Sequence, residues 1–187
     1  MQIKNKIIKL FNSIPIVNSY FTGIATIFTL HRVYPAEKDK LSVNEHMKIS
    51  PIFLEKFIQD LISNGYKFIS LDRLYEILQN QERVNKQVVL TFDDGYKDNY
   101  DLAFPILKKY NIPFTIYITS SFPEKTAILW WYILEDLIIN SDIIYLSTDE
   151  KFICKNNNQK ISTFLALRDR IMNLSSNSFL EGLNLLF

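Results

Sequence analysis

The sequence predicts an α/β fold, and three observations carry that prediction. Short apolar runs alternate with amphipathic helices along the chain, with no internal repeat and no obvious linker. One run, residues 87–92 (QVVLTF), has no charge from Val88 to Phe92, which suits a strand buried on both faces of a parallel sheet. That strand, a helix and a second strand then follow in close order, which implies a right-handed parallel crossover.

Taken in order, residues 1–22 open the chain with Ile3, Ile7, Leu10, Phe11 and Ile14 on one helical face and Lys4, Lys6 and Lys9 off it. Such a helix either lies on a membrane surface or packs on its own domain. Residues 23–33 (GIATIFTLHRV) read as a buried strand rich in Ile, Thr and Phe. A polar loop follows over 34–49. Ser50 as N-cap and Pro51 at the first helical position then start a helix, with Leu54, Phe57, Ile58, Leu61 and Ile62 on its apolar face and Gly65 at its end. Residues 66–70 read as a short strand, and Leu71, Leu74, Tyr75 and Leu78 mark the next helix.

After the uncharged strand, residues 98–110 read as a helix in which Pro105 is tolerated only near the first turn or at a kink, with Asn111 as its end. Residues 114–119 (FTIYIT) are the next strand. The last third is less regular. A helix over 128–140 holds Trp130 and Trp131, runs 143–146 and 152–154 suit a small hairpin, and helices are expected over 164–174 and 179–187. The division expected is therefore an N-terminal helical segment (1–22), a β/α part (23–125) and a helical insertion or remainder (126–187). The chain stops on Leu185-Leu186-Phe187 with no capping or breaker residue, which reads as truncation.

Composition bounds the function. Hydrophobic residues at 48% and charged residues at 22% suit an ordinary globular core. A formal net charge of +1 gives no global field toward nucleic acid, so no nucleic-acid partner is expected. Cys154 is the single cysteine, which excludes an intrachain disulfide and a zinc site built on several thiolates. The longest apolar run, residues 127–134, is too short to span a bilayer, and no signal peptide is evident. The default expectation is thus a cytoplasmic or membrane-peripheral protein, with the N-terminal helix as any membrane contact.

The chemistry concentrates at Asp93 and Asp94, where the uncharged strand ends and the chain turns at Gly95. Gly95 lets the backbone leave the extended path, so that both carboxylates can reach the C-terminal rim of the sheet, where parallel α/β folds build their sites. Adjacent carboxylates repel unless a cation or proton separates them, and a divalent metal resolves the repulsion. Asp-Asp-Gly is also an ordinary turn sequence, and the dipeptide alone leaves that alternative open.

Thr91-Phe92-Asp93-Asp94-Gly95 matches the first motif of the NodB-like polysaccharide deacetylases, carbohydrate esterase family 4. The match runs on through Tyr96 and through PILKKYNIPFTIYIT. Upstream, Leu30-His31-Arg32-Val33 resembles the family's first strand, and Asn64-Gly65-Tyr66-Lys67-Phe68 resembles the turn before the motif. The resemblance implies an incomplete, distorted TIM-like (β/α) barrel with an irregular helical insertion or tail. It also implies removal of N-acetyl groups from an amino-sugar polysaccharide. Asp93 would be the catalytic base and Asp94 a ligand to a divalent metal, zinc in most of the family. Metal-bound water would attack the acetamide, and the metal and a backbone N–H would stabilise the oxyanion. A glycan is the implied partner, and Thr91, Gly95, Tyr96 and His31 are candidates to line the site.

The chain departs from this pattern downstream. The family's later His-x-x-x-His metal motif has no counterpart, because His31 and His46, the only histidines, both precede Asp93. Its later arginine-containing and Leu-x-x-His motifs are absent too, so the general acid that would protonate the leaving amine has no candidate in this chain. His31, at the end of the first strand, is either a site residue or substitute ligand, or a hydrogen-bonded structural histidine. His46 is expected at the surface. Trp130, Trp131 and Tyr132 either stack on sugar rings or belong to the core. Haloacid-dehalogenase phosphatases and sugar-nucleotide glycosyltransferases also end strands in acids, but with one residue between them. An inactive fragment with residual glycan or metal binding is the remaining alternative.

Overall fold

The structure is a computed structural model that describes residues 23–173. The amphipathic segment 1–22, the helix expected over 179–187 and the apolar end at Leu185-Leu186-Phe187 lie outside the described residues. The described residues divide into two compact units, one of residues up to Val33 with Ser50–Thr119 and one of Tyr34–Ile49 with the residues from Ser120 onward.

The first unit is a parallel α/β sheet, as the alternating pattern predicts. Its strands are β1 (Ala25–Leu30), β2 (Lys67–Phe68), β3 (Gln87–Asp94) and β4 (Phe114–Ile118). β3 is the hub. It pairs in parallel with β1 from Ala25↔Gln87 to Leu30↔Phe92, with β2 at Lys67↔Gln87 and Phe68↔Val88, and with β4 from Leu90↔Phe114 to Asp94↔Ile118. Val88, Val89, Leu90 and Phe92 are wholly buried, which is why this run carries no charge. The other three strands each bond to β3, and β1 is correspondingly less covered. Ile27 is half exposed, so the expectation of a buried strand over 23–33 is corrected to a partly exposed one of six residues, followed by a two-residue strand at Arg32–Val33.

The helices of this unit begin and end where local chemistry dictates. In α1 (Pro51–Ser63), the Ser50 hydroxyl accepts the Phe53 N–H at 3.1 Å, and Leu54 and Ile58 are buried. Gly65 (φ +79°) ends it: its N–H reaches the Ile62 carbonyl and the Tyr66 N–H reaches Leu61, both at 3.0 Å, a paired C-terminal cap. α2 (Leu71–Gln79) starts on Ser70 and buries Leu74 and Ile77. The helix expected over 98–110 is shorter and uneven. A wide π-type turn spans Asn99–Ala103, and regular α-helix (α3) runs only over Phe104–Lys109. Pro105 has no N–H to donate to Asp101 and would crowd its carbonyl, and the widened turn absorbs the conflict. Asn111 (φ +52°) closes α3 with the same paired cap that Gly65 gives α1.

The second unit holds a 3₁₀ turn (Ser42–Asn44), α4 (Trp130–Ile139), an antiparallel hairpin of β5 (Ile143–Tyr145) and β6 (Lys151–Ile153), and α5 (Asn157–Met172). Leu41, Leu134, Ile138, Ile144, Cys154, Phe164, Leu167 and Ile171 make its core. α5 begins seven residues before the helix expected from Phe164. The Asn156 side chain caps it by accepting the Gln159 N–H at 3.0 Å, a start concealed in a polar run that reads as loop. Glu135 is fully buried, where the Leu41 N–H (2.8 Å) and the Asn44 amide (3.1 Å) donate to its carboxylate. Trp130 and Trp131 pack against this core, which favours the structural role over sugar stacking for both.

Candidate active site

The register of the sheet brings the site residues together. Paired positions in parallel strands present their side chains on the same face, and the faces alternate along each strand. Thr29 and Thr91 are paired, and the Thr91 hydroxyl donates to Thr29 Oγ1 at 3.1 Å. One pleat further on, His31 follows the end of β1 beside Asp93. Its Nε2 lies 3.8 Å from Asp93 Oδ2, with the two side chains 29% and 37% exposed. Tyr117 of β4 is paired with Asp93 and is half exposed. Two rows therefore form, threonines beneath and His31, Asp93 and Tyr117 at the rim.

Asp94 departs from the strand. Its φ is +70° and that of Gly95 is +72°, so two successive residues occupy the left-handed region. The Gly95 N–H donates to the Asp93 carbonyl at 2.9 Å, closing a tight three-residue turn centred on Asp94. Aspartate tolerates this region better than most side chains, yet such positions still cost on the order of 1–3 kcal/mol. The Asp94 Oδ1 accepts the Thr119 hydroxyl at 3.2 Å, so the turn is held at its side chain too. At Gly95 a Cβ would meet Ile118 at 3.4 Å, near ordinary contact. Conformation rather than space calls for glycine there. Because its N–H is already used, Gly95 is not a free donor to an oxyanion.

Behind the rim, sequence reasoning overlooked two residues. Asp98 is 7% exposed. Arg32 Nε donates to its Oδ2 at 2.8 Å, and the Val33 N–H donates to its Oδ1 at 3.1 Å. The Arg32 guanidinium also lies 4.8 Å from the centre of the Tyr96 ring. Asn99 is buried, and with its side-chain O and N assigned from the groups they face, its amide nitrogen donates to Asp98 Oδ1 at 3.3 Å and to the His31 carbonyl at 3.0 Å. An aspartate that opens a predicted helix looks like a cap in the sequence; here it reaches back to the residues just after β1 instead, and no sequence signal separates the two uses.

The expected site residues thus fall in three places. His31 and Asp93 share the rim. Asp94, Gly95 and Tyr96 form the turn beside it. Thr91 is buried one pleat below, 2% exposed. His46 is in the second unit, its Nδ1 2.8 Å from the Val43 carbonyl. Among the described residues, no group of three His, Cys, Asp or Glu side chains converges to hold a metal ion. Asp94 offers one carboxylate, and the described residues do not by themselves fit zinc.

A family model described as polysaccharide deacetylase matches residues 80–141, which include β3, the Asp93–Gly95 turn and β4. YxkH of Bacillus subtilis, whose name provisionally makes it a polysaccharide deacetylase, is 34% identical over 79 residues, 42% of this chain and 28% of that protein. The poly-beta-1,6-N-acetyl-D-glucosamine N-deacetylase of Escherichia coli K12 is 32% identical over 77 residues, 41% of this chain and 12% of that protein. The Streptococcus pyogenes deacetylase PplD, solved in complex with acetate, superposes with a TM-score of 0.49 at 30% identity, covering 55% of this chain and 46% of that one. The chain spans less than a third of the length of these two curated relatives.

Proposed function

We propose, because this chain belongs to the polysaccharide deacetylase family, that it carries the base-bearing side of a site that removes N-acetyl groups from an amino-sugar polysaccharide. One observation carries the reading: His31 Nε2 and Asp93 Oδ2 stand 3.8 Å apart on one face of the rim. That gap is too long for a direct hydrogen bond. It is short enough for one oxygen to lie about 2.8 Å from each. A water held there sits between a carboxylate, which can accept a proton, and an imidazole, which can donate one.

In this reading Asp93 takes a proton from the water as its oxygen bonds to the acetamide carbonyl carbon. The tetrahedral adduct collapses with cleavage of the C–N bond, and His31 supplies the proton that the departing nitrogen needs. Acetic acid leaves and ionises, the sugar keeps a free amine, and the proton held by Asp93 replaces the one His31 gave. Tyr117, exposed beside Asp93, presents a ring face on which a sugar can rest. The family's zinc would supply carbonyl polarisation; Asp94 is the ligand this chain offers, and no step above is routed through the metal. An incomplete TIM-like barrel remains the proposed setting, with a glycan as partner.

The test is acetate release from an N-acetylated glucosamine polymer, with zinc titrated, by the chain and by a version extended with a His-x-x-x-His segment. Activity is expected only in the extended protein, and Asp93→Asn should lower it about 10²- to 10⁴-fold, the usual contribution of a general base. Activity that survives Asp93→Asn rejects the assigned base. A second reading, glycan binding without hydrolysis by the chain as it stands, is favoured by the lack of a three-ligand cluster among the described residues. Glycan affinity with no acetate release from either protein would support it.

A further inference from the structure

We propose that Asp98 is a positioning residue that sets the distance between His31 and Asp93, an inference that rests on the hydrolase reading above only for its kinetic consequence. The two rim residues come from different strands. Pairing of β1 with β3 ends at Leu30↔Phe92, one residue before them. Beyond that point the segment just after the Asp93–Gly95 turn contributes side-chain contacts that hold His31 in place.

Asp98 binds the two residues after His31, through Arg32 Nε at 2.8 Å and the Val33 N–H at 3.1 Å. Asn99 binds the His31 carbonyl at 3.0 Å and Asp98 itself at 3.3 Å. Three consecutive residues just after β1, His31 and Val33 through their backbone and Arg32 through its side chain, are therefore tied to two consecutive residues downstream of the catalytic pair. Both ties are buried: Asp98 is 7% and Asn99 2% exposed. A buried carboxylate is retained only when paired, and the Arg32 side chain, 18% exposed, is the pair. Arg32 in turn faces the Tyr96 ring next to Gly95, so the clamp closes on the turn from both sides. Asp98 touches neither the water position nor His31's ring, and its effect is exerted through backbone placement.

The experiment reads the His31 ring directly. The chain has two histidines, and His46→Gln leaves one imidazole to follow by ¹⁵N and ¹H NMR in the full 187-residue chain. In that background Asp98→Asn keeps an acceptor for Val33 but sets an amide against Arg32, and Asn99→Ala removes the His31 tether together with the Asn99–Asp98 contact while leaving the Asp98–Arg32 pair in place. Both are expected to shift and broaden the His31 ring signals while circular dichroism stays unchanged. If Asp98→Asn does not fold, Asn99→Ala carries the test alone. In the extended, active protein kcat should fall about 10- to 100-fold with KM held, the usual effect of losing a residue that orients a functional side chain. His31 signals that stay in place in the folded variants, or a raised KM with unchanged kcat, would overturn the proposal. Moved signals in a protein that never releases acetate would uphold the clamp and reject the hydrolase reading.

Discussion

Removing the Asp98 carboxylate should destabilise the first unit more than any exposed substitution, and the size can be worked from contacts. Arg32 and Asp98 are 18% and 7% exposed, with a 2.8 Å contact. Charges centred about 4 Å apart at an effective dielectric near 20 attract by about 4 kcal/mol. Desolvation of both ions offsets part of this, leaving a coupling of about 1.5–3 kcal/mol, the range of a hydrogen bond to a charged group. Asp98→Ala also orphans the Val33 N–H, at about 1 kcal/mol. The total is about 2.5–4 kcal/mol, against the roughly 3–5 seen when one partner of a buried pair is removed. The assay is a double-mutant cycle of Asp98→Ala and Arg32→Ala, read by urea unfolding and by hydrogen exchange of the Val89 and Leu90 amides, which lie in the core of this unit. The double variant should be more stable than the sum of the singles by the coupling term. Singles that cost under about 1 kcal/mol and add without coupling would refute the clamp's energetics.

Other consequences follow from particular contacts. At Asp94 (φ +70°) Asn should preserve stability, because it tolerates the left-handed region, whereas Val should cost about 1–3 kcal/mol; equal urea midpoints would contradict the strained turn. Gln81 closes α2 at φ +51° in a paired cap, through its own N–H to Leu78 and Glu82 N–H to Ile77, so Gln81→Gly should raise stability by roughly 0.5 kcal/mol; a lower melting temperature would sink the cap assignment. The Lys109 ammonium at 2.6 Å and the Tyr110 hydroxyl at 2.9 Å hold the Glu55 carboxyl below the usual carboxylate range. A depressed value stabilises the fold above the ordinary glutamate range, and that contribution is lost as pH falls through the depressed value. Glu55→Gln should therefore flatten the acid limb of the stability–pH curve, and an unchanged acid limb would argue that the α1–α3 bridge contributes nothing.

Much of the sheet was legible because its causes are local. An uncharged run of six residues fixes β3 as the buried strand, and Ser50, Gly65 and Asn111 mark helix ends by chemistry that needs no tertiary context. The adjacent acids at a strand's end were equally legible. What escaped depends on register and on which side chain reaches back. The His31–Asp93 contact is a consequence of pairing 25↔87 through 30↔92, which no single segment encodes. Asp98 and Asn99 look like an ordinary helix start, and only the fold shows that they hold a strand end instead. Pro105 signalled either a first-turn position or a kink, and the structure puts it in the first turn of the regular helix, after a widened turn over Asn99–Ala103 that has no sequence signal of its own. The early start of α5 was missed because Asn156–Gln159 has the composition of a loop and the geometry of a cap.

The claim on which the functional account turns is that His31 and Asp93 work on one water as a unit. Residues that act together lose activity once, so their substitutions do not multiply. In the extended, active protein, acetate release should therefore be measured for His31→Gln, Asp93→Asn and the double variant. The account predicts a double variant no slower than the slower single. Rate losses that multiply would contradict it, showing two side chains that contribute separately.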